Sequence, residues 1–207
     1  MKLLLATRNR NKVVEIQQAL EGTDWQAVSL SEIPNAPDVE EDGATFHENA
    51  LKKARSAARV SRLWTLAEDS GLEVDALGGD PGVRSARYSG EGASDADRIR
   101  KILGHLTSVP DERRTARFRC VMCTIDPTDQ ENCFEGRCEG RIANEARGSS
   151  GFGYDPIFLP DGYDKTFAEL GLGVKSKISH RARAMQQVIE YLCGTRAIEG
   201  ARIQGVE

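Results

Sequence analysis

Apolar residues open the chain as a block from Leu3 to Ala6 and then recur at Val13, Ile16 and Leu20. The pattern predicts a short buried strand over Lys2 to Thr7, a polar turn and an amphipathic helix. That order opens many α/β folds. Trp25 to Leu30 reads as a second strand. It is followed by IPNAPDVEEDGA, where Pro34 and Pro37 interrupt any helix and leave the carboxylates on a loop. Thr45 and Glu48 then match a capping box, and an Ala-rich helix runs to about Val60.

Leu63 to Ala67 reads as a buried strand that ends in an acidic turn, Glu68-Asp69-Ser70-Gly71, with Leu72, Val74 and Ala76 alternating inward beyond it. Ser94 and Asp97 repeat the capping pattern ahead of Ile99, Ile102, Leu103 and Leu106, a stripe that makes a helix with one buried face. Arg117 to Ile125 and Asn132 to Ile142 read as two strands joined by the turn-rich DPTDQE, which points to a hairpin and a mixed sheet. Residues 147–156 form a Gly-rich loop and 157–178 read as irregular. Met185, Val188, Ile189 and Leu192 mark a last helix capped by Ser179. Residues 1–193 are expected to form one unit, two-lobed with a cleft between the strand-helix half and the 110–178 half. The tail from 194 to 207 shows no period and is expected to fray.

Composition narrows the class. With 39% apolar and 29% charged residues over 207 positions, this is an ordinary globular composition. No apolar run approaches the ~20 residues that cross a bilayer. The opening apolar block is too short for a secretory signal, so the expectation is a soluble, cytoplasmic protein. A net charge of −4 argues against a surface built to bind DNA phosphates. Five cysteines, an odd number without a secretory signal, predict reduced thiols rather than a disulfide framework. The spacing C-x2-C-x9-C-x4-C invites a zinc site. However, an offset of three along an alternating strand puts Cys120 and Cys123 on opposite faces, so buried free cysteines acting as small hydrophobes are expected instead.

Five segments carry candidate chemistry. Thr7-Arg8-Asn9-Arg10-Asn11-Lys12 sits between strand and helix, where free amides and the helix dipole attract anions. A solvated basic turn is the plain alternative, and no P-loop motif is present. Asp38, Glu40, Glu41 and Asp42 precede the second helix, and Glu68 with Asp69 close a strand; oxygen donors of this kind suit Mg²⁺. Ser149 to Pro156 combines glycines, Phe152, Tyr154 and Asp155, the ingredients of a loop that approaches a ligand closely and stacks on a planar ring. Lys175, Lys177, His180 and Arg181 follow near the start of the last helix. No Ser-His-Asp elbow or H-E-x-x-H zinc pattern is readable.

LATRNRNK, EEDGATFHENALKKA, AEDSGLEVDALGGDPGVRSARYSG, GSSGFGYDPIF and KSKISHR occur in one order, and together they resemble the inosine triphosphate pyrophosphatase family over at least residues 1–193. The resemblance implies an elongated α/β fold with a mixed sheet flanked by helices, two lobes with a central substrate cleft, and a homodimer. It also implies a Mg²⁺-dependent hydrolase that cuts dITP, ITP, XTP and dXTP to the monophosphate and pyrophosphate, clearing them from the nucleotide pool before they enter DNA or RNA. No stable nucleic-acid or membrane partner is implied. Carried over by motif, Thr7, Arg8, Asn9, Arg10, Asn11, Lys12 and Lys53 would hold phosphates. Asp69 would be the proton acceptor, with Asp69 and an acid of the Glu40–Glu41 pair at the metal. Ser70, Phe152, Gly153, Tyr154, Asp155, Lys175, His180 and Arg181 would complete the substrate site, with His180 and Arg181 reading a 6-oxo group.

Arg8 stands where the family often has glycine, Glu68 where aspartate is more usual, and Ser150 where the Gly-rich loop has another glycine. Rival readings are a pyrophosphatase for modified pyrimidine nucleotides on a similar fold and a non-catalytic nucleotide-binding module.

Overall fold

The computed structural model describes residues 1–204 apart from Asn35 and Pro37, with side chains through Gly194. Six strands form one sheet in the order β2-β1-β3-β4-β5-β6. β1 (Lys2–Leu5) runs parallel to β2 (Gln26–Ser29) and to the start of β3 (Trp64–Val74). β4 (Thr115–Ile125), β5 (Glu131–Ile142) and β6 (Phe158–Pro160) continue it antiparallel, so the sheet is mixed as expected.

α1 (Arg10–Leu20) and α6 (His180–Gln204) cover one face, packing Ile16, Leu20, Met185 and Val188 on Leu3, Leu5, Leu66 and Met122. α2 (Phe46–Ser61) covers the other, laying Ala50, Ala54 and Ala57 on Leu4, Ala67 and Val121. The far half of the sheet is closed by α3 (Asp95–His105) and by α4 (Phe167–Leu170), through Ile102, Phe118, Phe158 and Phe167. The capping boxes at Thr45 and Ser94 form as the sequence indicates.

Four expectations are corrected. β3 does not end at Ala67: the whole stretch from Thr65 to Val74 pairs with β4, and Asp69 lies mid-strand. Gly71 is there for a close approach rather than a turn, since a Cβ would sit 2.4 Å from Ser85 Oγ and 2.5 Å from the Gly82 carbonyl oxygen. Residues 157–178 are not irregular but hold β6, α4 and α5 (Leu172–Ile178), with Thr166 and Glu169 forming a further capping box. The periodless stretch after Gly194 continues α6 to Gln204; Gly205 to Glu207 lie outside the described residues. Finally, Cys123 and Cys133 are disulfide-bonded, leaving Cys120, Cys138 and Cys193 free. The antiparallel register sets these two residues directly opposite each other, which the odd cysteine count does not reveal. Cys120 and Cys123 do face opposite sides of the sheet.

α6 lies unusually close to β5. A Cβ on Gly136 would be 2.1 Å from the His180 carbonyl oxygen and 2.5 Å from the Ala184 amide nitrogen, so only glycine lets the helix start rest on the strand.

Candidate functional site

β1 stops at Leu5, and its last contact with β3 is the Ala6 amide donating to the Leu66 carbonyl at 2.8 Å. β3 continues past it to Val74, where Glu73 bridges to Pro81. The gap left beyond β1 becomes a cavity of about 440 Å³ at the carboxyl end of a parallel strand, where α/β sheets commonly bind ligands.

Strand alternation divides the two acids of β3 between the faces. Glu68 points toward α1 and α6, is 1% exposed, and lies 2.7 Å from Lys12 Nζ and 2.7 Å from Arg181 Nε. Burial disfavours its carboxylate, but these two cations hold its pKa well below the usual value. Burial likewise opposes the Lys12 ammonium, and Glu68 more than offsets it, raising its pKa. Asp69 points toward α2. Asn49 Nδ2 donates to its Oδ2 at 2.9 Å, and Lys53 Nζ lies 3.7 Å from its Oδ1. The same ammonium is 2.5 Å from Glu41 Oε1. Burial raises the Asp69 pKa, with Glu41 adding to it against the pull of Lys53; for Glu41, burial is outweighed by Lys53 and the pKa is lowered.

At the entrance to α1, Asn9 is the N-cap and its Oδ1 accepts from the Asn11 and Lys12 amides. Thr7, Arg8, Asn9, Asn11 and Lys12 all line the cavity. Arg10, one step into the helix, does not. Glu40 is exposed and outside the cavity, so of the acidic pair it is Glu41 that meets Asp69.

The Gly-rich loop closes the opposite wall. Its left-handed positions, Gly148, Gly151 and Gly153, are all glycine, and Ser150 is not among them, so the serine fits without backbone strain. Asp155 is buried and accepts from the Phe152 amide at 2.9 Å and from Lys175 Nζ at 2.6 Å. Tyr154 is buried and donates its hydroxyl to the Ser85 carbonyl at 2.9 Å. Phe152 remains at the cavity, with Lys175 Nζ 4.4 Å from its ring centre and the Arg181 guanidinium carbon 5.6 Å away. His180 stacks on Phe118 at 4.7 Å between ring centres. Its buried Nδ1 has no hydrogen-bond partner, and burial with the neighbouring Arg181 and Lys175 keeps its pKa well below 6.5. Arg181 is spoken for on all three nitrogens: Nε and Nη2 donate to Glu68, Nη2 to Ser70 Oγ, and Nη1 to Glu15 Oε2.

Several residues in or beside the cavity escape sequence reasoning. Glu15, on α1, joins Lys175 at 3.0 Å and Arg181 at 2.6 Å. Asp95 accepts from the Gly153 amide at 2.7 Å and pairs with Arg98, whose guanidinium also holds the Ala86 and Ala93 carbonyls. The only sequence signal at Asp95 is its place as the first residue after the Ser94 cap.

A family model described as the Ham1 family matches residues 3–191. The chain belongs to the Ham1 family. Among related proteins, the dITP/XTP pyrophosphatase of Desulforamulus reducens is 49% identical over 192 residues, covering 93% of this chain and 96% of that one. The dITP/XTP pyrophosphatase of Bacillus subtilis is 46% identical over 189 residues, 91% and 96% of the two chains. A HAM1 protein from Coxiella burnetii superposes with a TM-score of 0.86 at 42% identity, covering 94% of this chain and 99% of its own. The Staphylococcus aureus Ham1 protein does so with 0.85 at 39%, covering 94% and 100%. This member of the Ham1 family therefore shares its fold with the two solved proteins over 94% of its length.

Proposed function

We propose that the protein hydrolyses non-standard purine nucleoside triphosphates, dITP and XTP above all, to the monophosphate and pyrophosphate. The observation that carries this reading is the meeting, in one cavity, of a basic strand-to-helix turn, a buried carboxylate facing a second acid, and an aromatic loop. The turn at α1 and Lys53 match the charge of a triphosphate. Asp69, more basic than an ordinary aspartate, accepts a proton from the attacking water.

Asp69 and Glu41 fit a magnesium site. They are hard oxygen donors brought together with a cation, Lys53, between them, and a bound Mg²⁺ would neutralise charge on the phosphoryl oxygens. Among the described residues no helix is long and apolar enough to cross a membrane. A homodimer acting in the cytoplasm on the nucleotide pool completes the proposal. Incubation with ITP, dITP, XTP, ATP and GTP plus Mg²⁺, followed by product analysis, tests it. Release of orthophosphate instead of pyrophosphate, or equal use of all five, overturns it.

Phe152 offers a stacking face to any purine. Phe152→Ala is expected to cost ~1–3 kcal/mol nearly equally for ITP and ATP in kcat/KM. Because the Arg181 donors are engaged by Glu68, Glu15 and Ser70, discrimination at the 6-position falls to His180, a neutral imidazole at the cavity wall that can donate a ring N–H to an oxo oxygen but gains nothing from an amino group. His180→Phe is expected to lower the ITP/ATP ratio of kcat/KM by ~5–150-fold, equivalent to ~1–3 kcal/mol. An unchanged ratio would remove His180 from base reading.

Asp95 holds the aromatic loop through the Gly153 amide rather than touching the ligand. Asp95→Ala should raise KM by ~2–10-fold for every purine, the net worth of one hydrogen bond, and Asp95→Asn, which keeps an acceptor oxygen, should restore most of it. A change confined to kcat, or no rescue by asparagine, would count against this role.

A further inference from the structure

Outside the substrate cavity, the β4–β5 hairpin sets Cys123 opposite Cys133 with Cα atoms 4.1 Å apart. Both side chains face α2. The second residue of that helix, His47, reaches the same spot: one imidazole nitrogen and both sulfurs lie within 4.8 Å of one another. Among the described residues this is the one place where three side chains of metal-ligating type come so close. His47 is exposed, with Glu131 as an electrostatic neighbour. His47 and Cys133 also line a second cavity, of about 780 Å³, bounded by Thr45, Phe134 and Glu135 and containing none of the acids or cations of the substrate site. An ion can therefore arrive without crossing that site.

We propose that, with the Cys123–Cys133 bond reduced, these two thiolates and the His47 imidazole form a binding site for a thiophilic divalent cation of the zinc class. Reduction takes two electrons and two protons from a dithiol, which leaves as its own disulfide. The cation then displaces both thiol protons into solution and takes the ring nitrogen through its lone pair, so charge and atoms balance. Tetrahedral Zn²⁺ with Zn–S near 2.3 Å and Zn–N near 2.0 Å needs donors roughly 3.5–3.8 Å apart. Those separations lie inside the 4.8 Å envelope of the three donor atoms. The fourth position is open to water from the cavity. Soft sulfur donors reject Mg²⁺, so the site does not compete for the ion at Asp69.

The test uses the full chain, reduced with a phosphine until the unfolded protein shows all five thiols, then freed of reductant and titrated with Co²⁺ as a spectroscopic stand-in. One equivalent should produce thiolate-to-cobalt charge-transfer absorption that Zn²⁺ abolishes. The oxidised chain should give none. Cys123→Ser and Cys133→Ser should lose the band. His47→Ala, an exposed change away from the core, should keep the fold and weaken binding by roughly tenfold or more. Absence of the band in the reduced protein, or a band that survives in Cys123→Ser or is unaffected by His47→Ala, overturns the proposal.

Discussion

Asp69→Asn should lower turnover of ITP by ~10²–10⁴-fold while leaving the fold in place. The change keeps size and shape at a position 5% exposed, so packing against α2 is preserved, and Asn49 can still find an oxygen acceptor on the new amide. What disappears is the proton-accepting carboxylate and, with it, half of the acidic pair that fits Mg²⁺. Loss of the metal partner would push the deficit toward the larger figure. A measured kcat with saturating ITP and Mg²⁺ decides the matter, with circular dichroism confirming the fold; near-normal turnover would move the water-activating role elsewhere. Because burial raises the Asp69 pKa in the free protein, the acid limb of kcat/KM should also lie above the ordinary aspartate value of 3.8.

Glu68→Ala should act on stability instead, by ~3–5 kcal/mol, because it leaves Lys12 and Arg181 buried side by side without their shared counter-charge. For a domain of this size that corresponds to about 6–20 °C in Tm. The sign of the pH dependence follows from the same contacts. Glu68 has its folded pKa well below 4.5, so its contribution is fully present above that value and is lost as pH falls from 4.5 toward the folded pKa. His180 is held neutral, with a folded pKa well below 6.5, so protonation of the unfolded chain begins to erode stability from about 6.5 downward. Acid titration of Tm should therefore fall in two stages, the first absent from His180→Phe. A single stage in the parent protein would show that His180 is not kept neutral.

The helices with strong caps, α2 and α3, are legible because Thr45 and Ser94 precede long apolar stripes. Thr166 and Glu169 carry the same signal, but the helix they start is four residues long and has no stripe to read. Asp69 reads as a strand end because Asp-Ser-Gly is good turn chemistry. Pairing with β4 overrides that local preference, and the true reason for Gly71 lies in Ser85 and Gly82, which no local pattern shows. Most of the proposed substrate residues converge on one cavity: those at the entrance to α1, in the Gly-rich loop and at the start of α6 lie where motif and element end coincide, whereas Lys53 and Ser70 reach it from within α2 and β3. Arg10 and Glu40 do not, since neighbours in sequence point in different directions. Glu15, Asp95 and Arg98 escape the sequence pattern for a related reason: the contacts that tie them to the site run to Arg181 and Gly153, 58 or more residues away, or to a backbone carbonyl. The facing cysteines could be found by counting outward from the hairpin loop, Ile125 opposite Glu131 and hence Cys123 opposite Cys133.

Gly136 carries no chemistry, yet the seat it gives α6 makes it a hidden point of mutational fragility. Adding a single methyl group there would lift the helix at His180, the residue beside Arg181, and so tilt two cavity side chains at once. In a library scored for nucleotide choice, Gly136→Ala should therefore stand out among changes on the body of β5, altering selectivity from beneath a wall that no ligand touches.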